Sequence, residues 1–148
     1  MFTVTRGVGR IVDVRVESLK TVSDVDAFIT AVRNCVLQAA PAHAVICADH
    51  RAVRIYPQEV AERLVFLFSS VNPHIERAAL VVARTNATFS IQIERIVRES
   101  LNPQRRVFYD PEPAIAWLSE LLTDAEAAHI RAFLTPISRR GSERPGTL

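Results

Sequence analysis

The feature that most constrains the fold is an alternation of short apolar stretches with longer segments of helical periodicity. HAVICAD (residues 43–49) and IERAALVVA (residues 75–83) are almost wholly apolar, which is typical of strands buried on both faces of a sheet. Each is followed by a segment whose apolar residues recur at the spacing of one helical face. Alternation of this kind predicts a mainly parallel sheet with right-handed crossovers.

The start of the chain predicts an antiparallel addition to this sheet. Two runs, residues 2–5 and 9–16, alternate apolar and polar residues, and Gly7 and Gly9 lie at the reversal between them. This pattern predicts a β-hairpin. The expected fold is therefore α/β, with a mixed, mainly parallel sheet opened by an antiparallel hairpin and four to five helices packed against it.

Capping residues and prolines predict where the helices begin. The predicted starts are Ser23 with Asp26 three positions later, Pro57, Asn86, Asp110 before Pro111, and Thr123 with Glu126. A final strand, RRVFYD, lies before the fourth of these helices. The predicted order is ββ-α-β-α-β-α-β-α-α.

Length and composition predict one α/β domain over residues 1–134. The chain has 148 residues, 49% of them hydrophobic, which suits a single packed core. Residues 135–148 are polar and rich in Pro, Gly and Ser, so we expect a flexible tail there. No secretion signal or membrane span is recognisable, so we expect a cytoplasmic protein in which Cys35 and Cys47 stay reduced.

The distribution of charge argues against a nucleic-acid-binding face. The formal net charge is +2, and residues 135–148 alone carry three arginines and one glutamate. The remainder is therefore close to neutral, whereas nucleic-acid binding requires clustered positive charge.

The sequence offers no cofactor or metal site of a common kind. It lacks a glycine-rich phosphate loop, a G-x-S-x-G turn, a C-x-x-C pair and an H-E-x-x-H motif. The four histidines, His43, His50, His74 and His129, are scattered without metal-ligand spacing.

One polar cluster follows a buried strand, where sites in α/β sheets usually form. Asp49, His50 and Arg51 lie directly after HAVICA, and Arg54 follows three residues later. A carboxylate beside a histidine is suited to acid–base chemistry, but no Ser or Cys nucleophile lies in this junction. Alternatively, Asp49 accepts backbone N–H bonds in the loop, or pairs with Arg51 or Arg54.

Two helices have apolar residues outside a single inner stripe. Ile91 lies among polar residues of the third helix, with Ala87 one turn earlier, and Val65 and Phe68 widen the apolar face of the second helix. Such faces are either contact surfaces or deeply packed.

Two adjacent arginines enter the last predicted strand. Adjacent strand residues point to opposite faces, so these two side chains do not form one anion clamp. One of Arg105 and Arg106 is expected to pair with Glu94 or Glu99.

Three stretches carry a resemblance to a known family: VICADHRAVRIYPQEVAERL, IERAALVVARTNATFSIQIERIVRES and RRVFYDPEPAIAWL. They resemble the STAS domain, more narrowly its STAS/SEC14-like branch related to anti-sigma-factor antagonists, over about residues 2–134. In that family the loop after the central strand and the following helix dock a protein. The family's phosphorylated serine motif falls on Pro57, Gln58, Glu59 and Val60, where no hydroxyl remains.

The resemblance implies a non-enzymatic regulatory or scaffold domain that acts through protein–protein interaction. The residues expected to bind the partner are Asp49, His50, Arg51, Arg54, Gln58 and Glu59. Self-association as a homodimer is expected to involve Ala87 and Ile91. One alternative is a carrier that holds a small apolar or lipid ligand between helices and sheet; another is a hydrolase or transferase that uses Asp49 and His50.

Overall fold

The computed structural model describes residues 1–135, which form five strands and five α-helices. The strands are β1 (Phe2–Arg6), β2 (Ile11–Val16), β3 (Ala44–Asp49), β4 (Ile75–Val81) and β5 (Arg105–Phe108). The helices are α1 (Val22–Gln38), α2 (Gln58–Val71), α3 (Ala87–Glu99), α4 (Pro111–Ser119) and α5 (Asp124–Leu134), with a 3-10 turn at Asn72–His74. Apart from Thr135, the predicted tail lies outside the described residues.

The strands lie in the sheet in chain order, β1-β2-β3-β4-β5. β1 is antiparallel to β2, and every other neighbouring pair is parallel. The predicted α/β fold, with a mainly parallel sheet opened by an antiparallel hairpin, is therefore confirmed.

Helices cover the sheet on both faces because β3 is apolar on both sides. Ile46 and Ala48 pack into a core formed with α1, α2 and α3. Val45 and Cys47 pack on the opposite side, in a core formed with α4 and α5. All six residues of β3 are buried, as the apolar stretch predicts for a central strand.

Most of the predicted helix starts are confirmed, and one is wrong. Asn86 caps α3, and Thr123 forms a capping box with Glu126 at the start of α5. The first helix, however, is capped by Thr21 and not by Ser23. Thr21 accepts a bond from the Asp24 backbone, and the Asp24 carboxylate accepts from the backbones of Lys20 and Thr21. A complete box forms two residues earlier than predicted.

None of the helices within residues 1–135 combines the length and apolar character needed to span a membrane.

Replacing Gly9 by alanine is expected to lower the free energy of unfolding by about 1–3 kcal/mol. Gly9 has φ of +60°, and a Cβ at this position would overlap the Glu126 carboxylate, which accepts a hydrogen bond from the Arg10 backbone at 3.2 Å. Urea unfolding measures the loss. Val8→Ala in the same turn is the control, and equal midpoints for the two variants would contradict the expectation.

Candidate functional site

The polar junction after β3 is a buried ion-pair network. Asp49 is only 2% exposed. Its Oδ1 accepts hydrogen bonds from the backbone N and Nε of Arg51, both at 3.0 Å, and its Oδ2 accepts from Nη2 of Arg51 and Nε of Arg15, both at 3.1 Å. Arg15 is opposite Asp49 in the register of β2 and β3. The alternative in which Asp49 binds the loop backbone and pairs with Arg51 is therefore the arrangement found.

The same two arginines hold the end of the last helix. Nη2 of Arg51 donates to the carbonyl of Leu134 at 2.7 Å, and Nη2 of Arg15 donates to the carbonyl of Phe133 at 2.8 Å. The Arg15 guanidinium also lies 4.3 Å from the centre of the Phe133 ring. Carbonyls in the last helical turn lack intrahelical donors and favour cations. Asp49 thus orients two arginines that cap α5.

The electrostatics of Asp49 favour its charged form. Burial alone would raise the pKa of this carboxyl, but the hydrogen bonds and charge of Arg51, with the hydrogen bond from Arg15, lower it below its ordinary value. A carboxylate held in this way is a weak proton acceptor. The geometry therefore gives it the role of a fixed counter-ion.

His50 is neutral and enclosed. It is 1% exposed, and burial lowers its pKa to about 4 against the opposing charge of Asp49. Among the described residues neither ring nitrogen has a hydrogen-bond partner, and the ring packs edge-on against Tyr56 at 6.3 Å between centroids. The bonds of Asp49 go to arginines, so Asp49 and His50 do not form the dyad that a hydrolase would use.

The space between the helices and the sheet is small. A cavity of about 30 Å³ lies between α1, α2 and the sheet, lined by apolar residues with His50 and Arg105. This volume holds roughly one or two water molecules. It does not hold an acyl chain.

The exposed part of the predicted partner-binding set lies at the start of α2. Arg54, Gln58 and Glu59 are exposed, whereas Arg51 is largely covered and Asp49 and His50 are buried. Direct contact of Asp49 or His50 with a partner would therefore require the loop to open.

The segment that leads into α2 is fastened to α3. The Gln92 side chain accepts from the backbone N of Tyr56 at 2.9 Å and donates to its carbonyl at 2.8 Å. Asn86 donates to the carbonyl of Arg54 at 2.8 Å. This attachment leaves Ile55 48% exposed between the two fastened residues.

A surface groove separates α2 from α3. We call it the α2–α3 groove; its volume is about 640 Å³, and its apolar lining comes from Ile55, Ala61, Val65, Ile91 and Ile96. Its polar lining includes Gln58, Glu62, Arg95 and Glu99. The groove brings together Gln58, predicted to bind a partner, and Ile91, predicted to mediate self-association. Ile91 is 74% exposed, and Ala87 is exposed one turn earlier.

The expected pairing of Arg105 or Arg106 with Glu94 or Glu99 is wrong. Arg105 is buried and donates to Asn72, Ser100 and the carbonyl of Phe68. Arg106 lies over the Trp117 ring. Glu94 instead accepts from Tyr109, and Glu99 from Arg95.

Three residues of the Asp49 network, the α2–α3 groove and the contact with His129 were not predicted from the sequence. Arg15 completes the Asp49 network, and Ile55 contributes an exposed apolar side chain to the α2–α3 groove. Asp13 is buried with its Oδ2 2.7 Å from Nε2 of His129, and burial raises the pKa of Asp13 although His129 opposes the shift. The signal for Ile55 was an apolar residue in a loop two positions before a proline.

Within residues 1–135 no group of three or more His, Cys, Asp or Glu side chains is placed to hold a metal ion. Comparison of the chain with models of protein families, with curated proteins and with solved structures finds no match. The resemblance to the STAS domain therefore stays a prediction that rests on the order of elements and on the three stretches quoted above.

Proposed function

We propose that the chain is a non-enzymatic regulatory or scaffold domain that binds a protein through the α2–α3 groove. The observation that carries this proposal is the exposure of two isoleucines, Ile55 and Ile91, in one groove. Exposed apolar residues grouped in a groove and rimmed by polar residues are typical of protein-binding surfaces. Gln58 supplies part of the polar rim, and Arg54 and Glu59 are exposed residues close to Gln58 in the chain.

The buried network supports this function indirectly. Asp49 and Arg51 hold the junction between β3 and α2, and Gln92 fixes the backbone of Tyr56. A surface whose backbone is already fixed loses less conformational entropy on binding. Asp49 and His50 are therefore proposed to act through the position of the loop and not by touching the partner.

The resemblance to the STAS domain is in keeping with the same surface. In that family the loop after the central strand and the following helix dock a protein. Here Glu59 occupies the first turn of α2, where a negative charge is favoured by the helix dipole. We propose that binding does not depend on phosphorylation at residues 57–60, because no hydroxyl is present there.

A carrier of a small apolar or lipid ligand is the second candidate. The volume of the α2–α3 groove, about 640 Å³, is within the usual range for ligand sites and favours the surface groove over the interior. Native mass spectrometry of the purified protein tests this candidate. If the protein is a lipid carrier, spectra of the wild type should show a bound acyl species, and spectra of Ile91→Asp should not. Wild-type spectra without any bound species would refute this candidate.

Replacing Ile91 by aspartate is expected to weaken partner binding at least tenfold while the fold stays intact. The side chain is 74% exposed, so the charge meets solvent in the free protein and an apolar surface in the complex. Affinity capture from the host followed by titration of the purified partner gives the dissociation constant.

Leu37→Asp is the matched control for this variant. Leu37 is an exposed apolar residue at the end of α1, which packs on α2 and not beside the groove. Equal dissociation constants for wild type, Ile91→Asp and Leu37→Asp would refute the proposed surface.

A further inference from the structure

We propose that a pocket between the end of α3 and the start of β5 binds a small aliphatic carboxylic acid. We call it the α3–β5 pocket; its volume is about 450 Å³, which is within the usual range for small-ligand sites. Its lining consists of Val97, Arg98, Leu101, Asn102, Pro103 and Arg105. None of these residues lines the α2–α3 groove, so the site is independent of the proposed protein-binding surface.

Arg105 is a buried cation without a carboxylate. It is 5% exposed, and its Nη1 and Nη2 donate to the neutral acceptors Asn72 Oδ1, Ser100 Oγ and the carbonyl of Phe68. Within residues 1–135 it forms no ion pair. A buried charge without a partner of opposite sign is unfavourable, and burial lowers the pKa of Arg105 to about 10. A bound anion would supply the missing negative charge.

One donor of Arg105 remains for a ligand. Its Nε donates to no acceptor among the described residues. The fully enclosed side-chain atoms that lack a partner in this part of the chain are Oδ1 of Asp13, both ring nitrogens of His50 and Oη of Tyr56. Nε of Arg105 is not one of them, so it keeps some exposed area. The surface pocket that Arg105 lines is the α3–β5 pocket.

Arg98 adds a second cation to the pocket. It is exposed, and it too forms no ion pair within the described residues. Among the described residues that line the pocket none is acidic. The neighbouring glutamates of α3 are engaged elsewhere, Glu94 by Tyr109 and Glu99 by Arg95. Guanidinium groups match carboxylates well in hydrogen-bond geometry, so this lining favours a carboxylate.

Hydrogen bonds at the end of α3 reduce the repulsion that an anion meets there. The carbonyls at the end of a helix carry partial negative charge. Here the backbone of Ser100 donates to the carbonyls of Ile96 and Val97, and the backbone of Leu101 donates to that of Arg98. The carbonyl of Ser100 accepts from two further side chains. These bonds offset part of the negative charge that α3 presents to the pocket.

Leu101 exposes an apolar side chain on strained backbone. Its φ is 60°, and the residue is 81% exposed. This conformation after a helix favours glycine or asparagine, and strained residues are found at functional sites more often than elsewhere. Leucine at this place adds little packing to the fold, whereas contact with a ligand would cover it. Together with Val97 and Pro103 it forms the apolar part of the lining.

The lining as a whole defines the class of ligand. Of the six lining residues three are apolar, two are arginines and one is an amide. Inorganic phosphate would leave the apolar residues without contacts, and an uncharged hydrocarbon would leave the arginines without a counter-ion. A short aliphatic chain that ends in one carboxylate matches both parts.

Titration of the full chain with hexanoate, followed by the amide chemical shifts of residues 97–105, tests the ligand class. We expect a dissociation constant on the order of 1 mM, which is reasonable for a ligand of this size. Hexanamide keeps the chain length but lacks the charge, and both it and inorganic phosphate are expected to bind at least about tenfold more weakly. No binding of hexanoate, or binding of either control as tightly as hexanoate, overturns the proposal.

Variants of Arg98 and Leu101 test the location, because Arg105 also holds the surrounding fold together. Arg98→Gln is expected to weaken hexanoate binding about tenfold, whereas Lys20→Gln removes an exposed charge away from the pocket and should leave it unchanged. Leu101→Gly is expected to weaken binding about threefold or more while the urea midpoint stays equal or rises, because the backbone strain is relieved. Unchanged affinity in Arg98→Gln or Leu101→Gly, an equal loss in Lys20→Gln, or a lower urea midpoint in Leu101→Gly overturns the assigned site.

Discussion

Replacing Asp49 by alanine is expected to lower the free energy of unfolding by about 3–5 kcal/mol, the usual cost of removing one member of a buried ion pair. The variant leaves the guanidinium of Arg51 largely covered and without its carboxylate, and it releases Arg15 as well. The carbonyls of Phe133 and Leu134 lose correctly placed donors in consequence. Urea unfolding followed by the fluorescence of Trp117, the single tryptophan, measures the change.

A surface ion pair provides the control for Asp49. Asp26 pairs with Arg63 at 3.0 Å, and both side chains are substantially exposed, so Asp26→Ala is expected to cost less than about 1 kcal/mol. Hydrogen exchange in the last turn of α5 should increase in Asp49→Ala and stay unchanged in Asp26→Ala. Equal stability losses in the two variants would show that the buried network does not hold α5.

Acidification is expected to destabilise the protein through His50 by about 3 kcal/mol. The pKa of His50 falls from 6.5 to about 4 on burial, so the unfolded chain takes up a proton first. The stability that the folded state gains from keeping His50 neutral is therefore fully present above the unfolded pKa of 6.5. It is lost as pH falls from 6.5 to about 4. Asp49 adds to the loss only below its ordinary pKa of 3.8.

The difference between wild type and His50→Phe isolates this histidine. Asp13, whose pKa burial raises, shifts stability in the opposite direction on acidification, and it contributes equally to both proteins. Urea unfolding between about pH 7 and pH 4 should show a steep decline in wild type and a shallower one in the variant. His50→Leu serves in its place if phenylalanine does not fit beside Tyr56. Parallel profiles for wild type and variant would place the acid sensitivity elsewhere.

The fold could be predicted because its strongest signals are local. β3 is apolar on both sides, so its sequence alone indicates a strand covered by helices on both faces. Asn86 and Thr123 cap the helices that follow them by bonds to residues three positions later. The start of α1 was misplaced because Thr21 and Ser23 are both suitable caps, and only the position of Asp24 decides between them.

The surroundings of Asp49 could be predicted only in part. Its pairing with Arg51 is local. Arg15, however, lies 34 residues away on a strand whose sequence alternates apolar and polar residues. The strand β2 is nonetheless covered on both faces, since α5 packs over it on the far side. Nothing in the local sequence indicates that Asp13 and Arg15 face a helix more than 100 residues later.

Residues on both walls of the groove were predicted, Gln58 and Val65 on α2 and Ile91 on α3, but the contribution of Ile55 was not. Ile91 stood out because it interrupts a polar helical face, and its exposure is clear in the structure. Ile55 gave a weaker signal, because its outward position depends on the bonds of Gln92 and Asn86 to the neighbouring backbone. Such long-range bonds decide which loop residues reach the surface.

The carboxylate of Asp49 gives opposite sides of the sheet a common point of attachment. Arg51 belongs to the loop that leads towards the groove, and through its guanidinium that loop is tied to the final turn of α5 on the other side. If the loop or the last turn of α5 moves away, the other loses the hydrogen bond that joins them. Fraying of the last helix and opening of the loop before α2 should therefore rise and fall together, as a single motion of the domain.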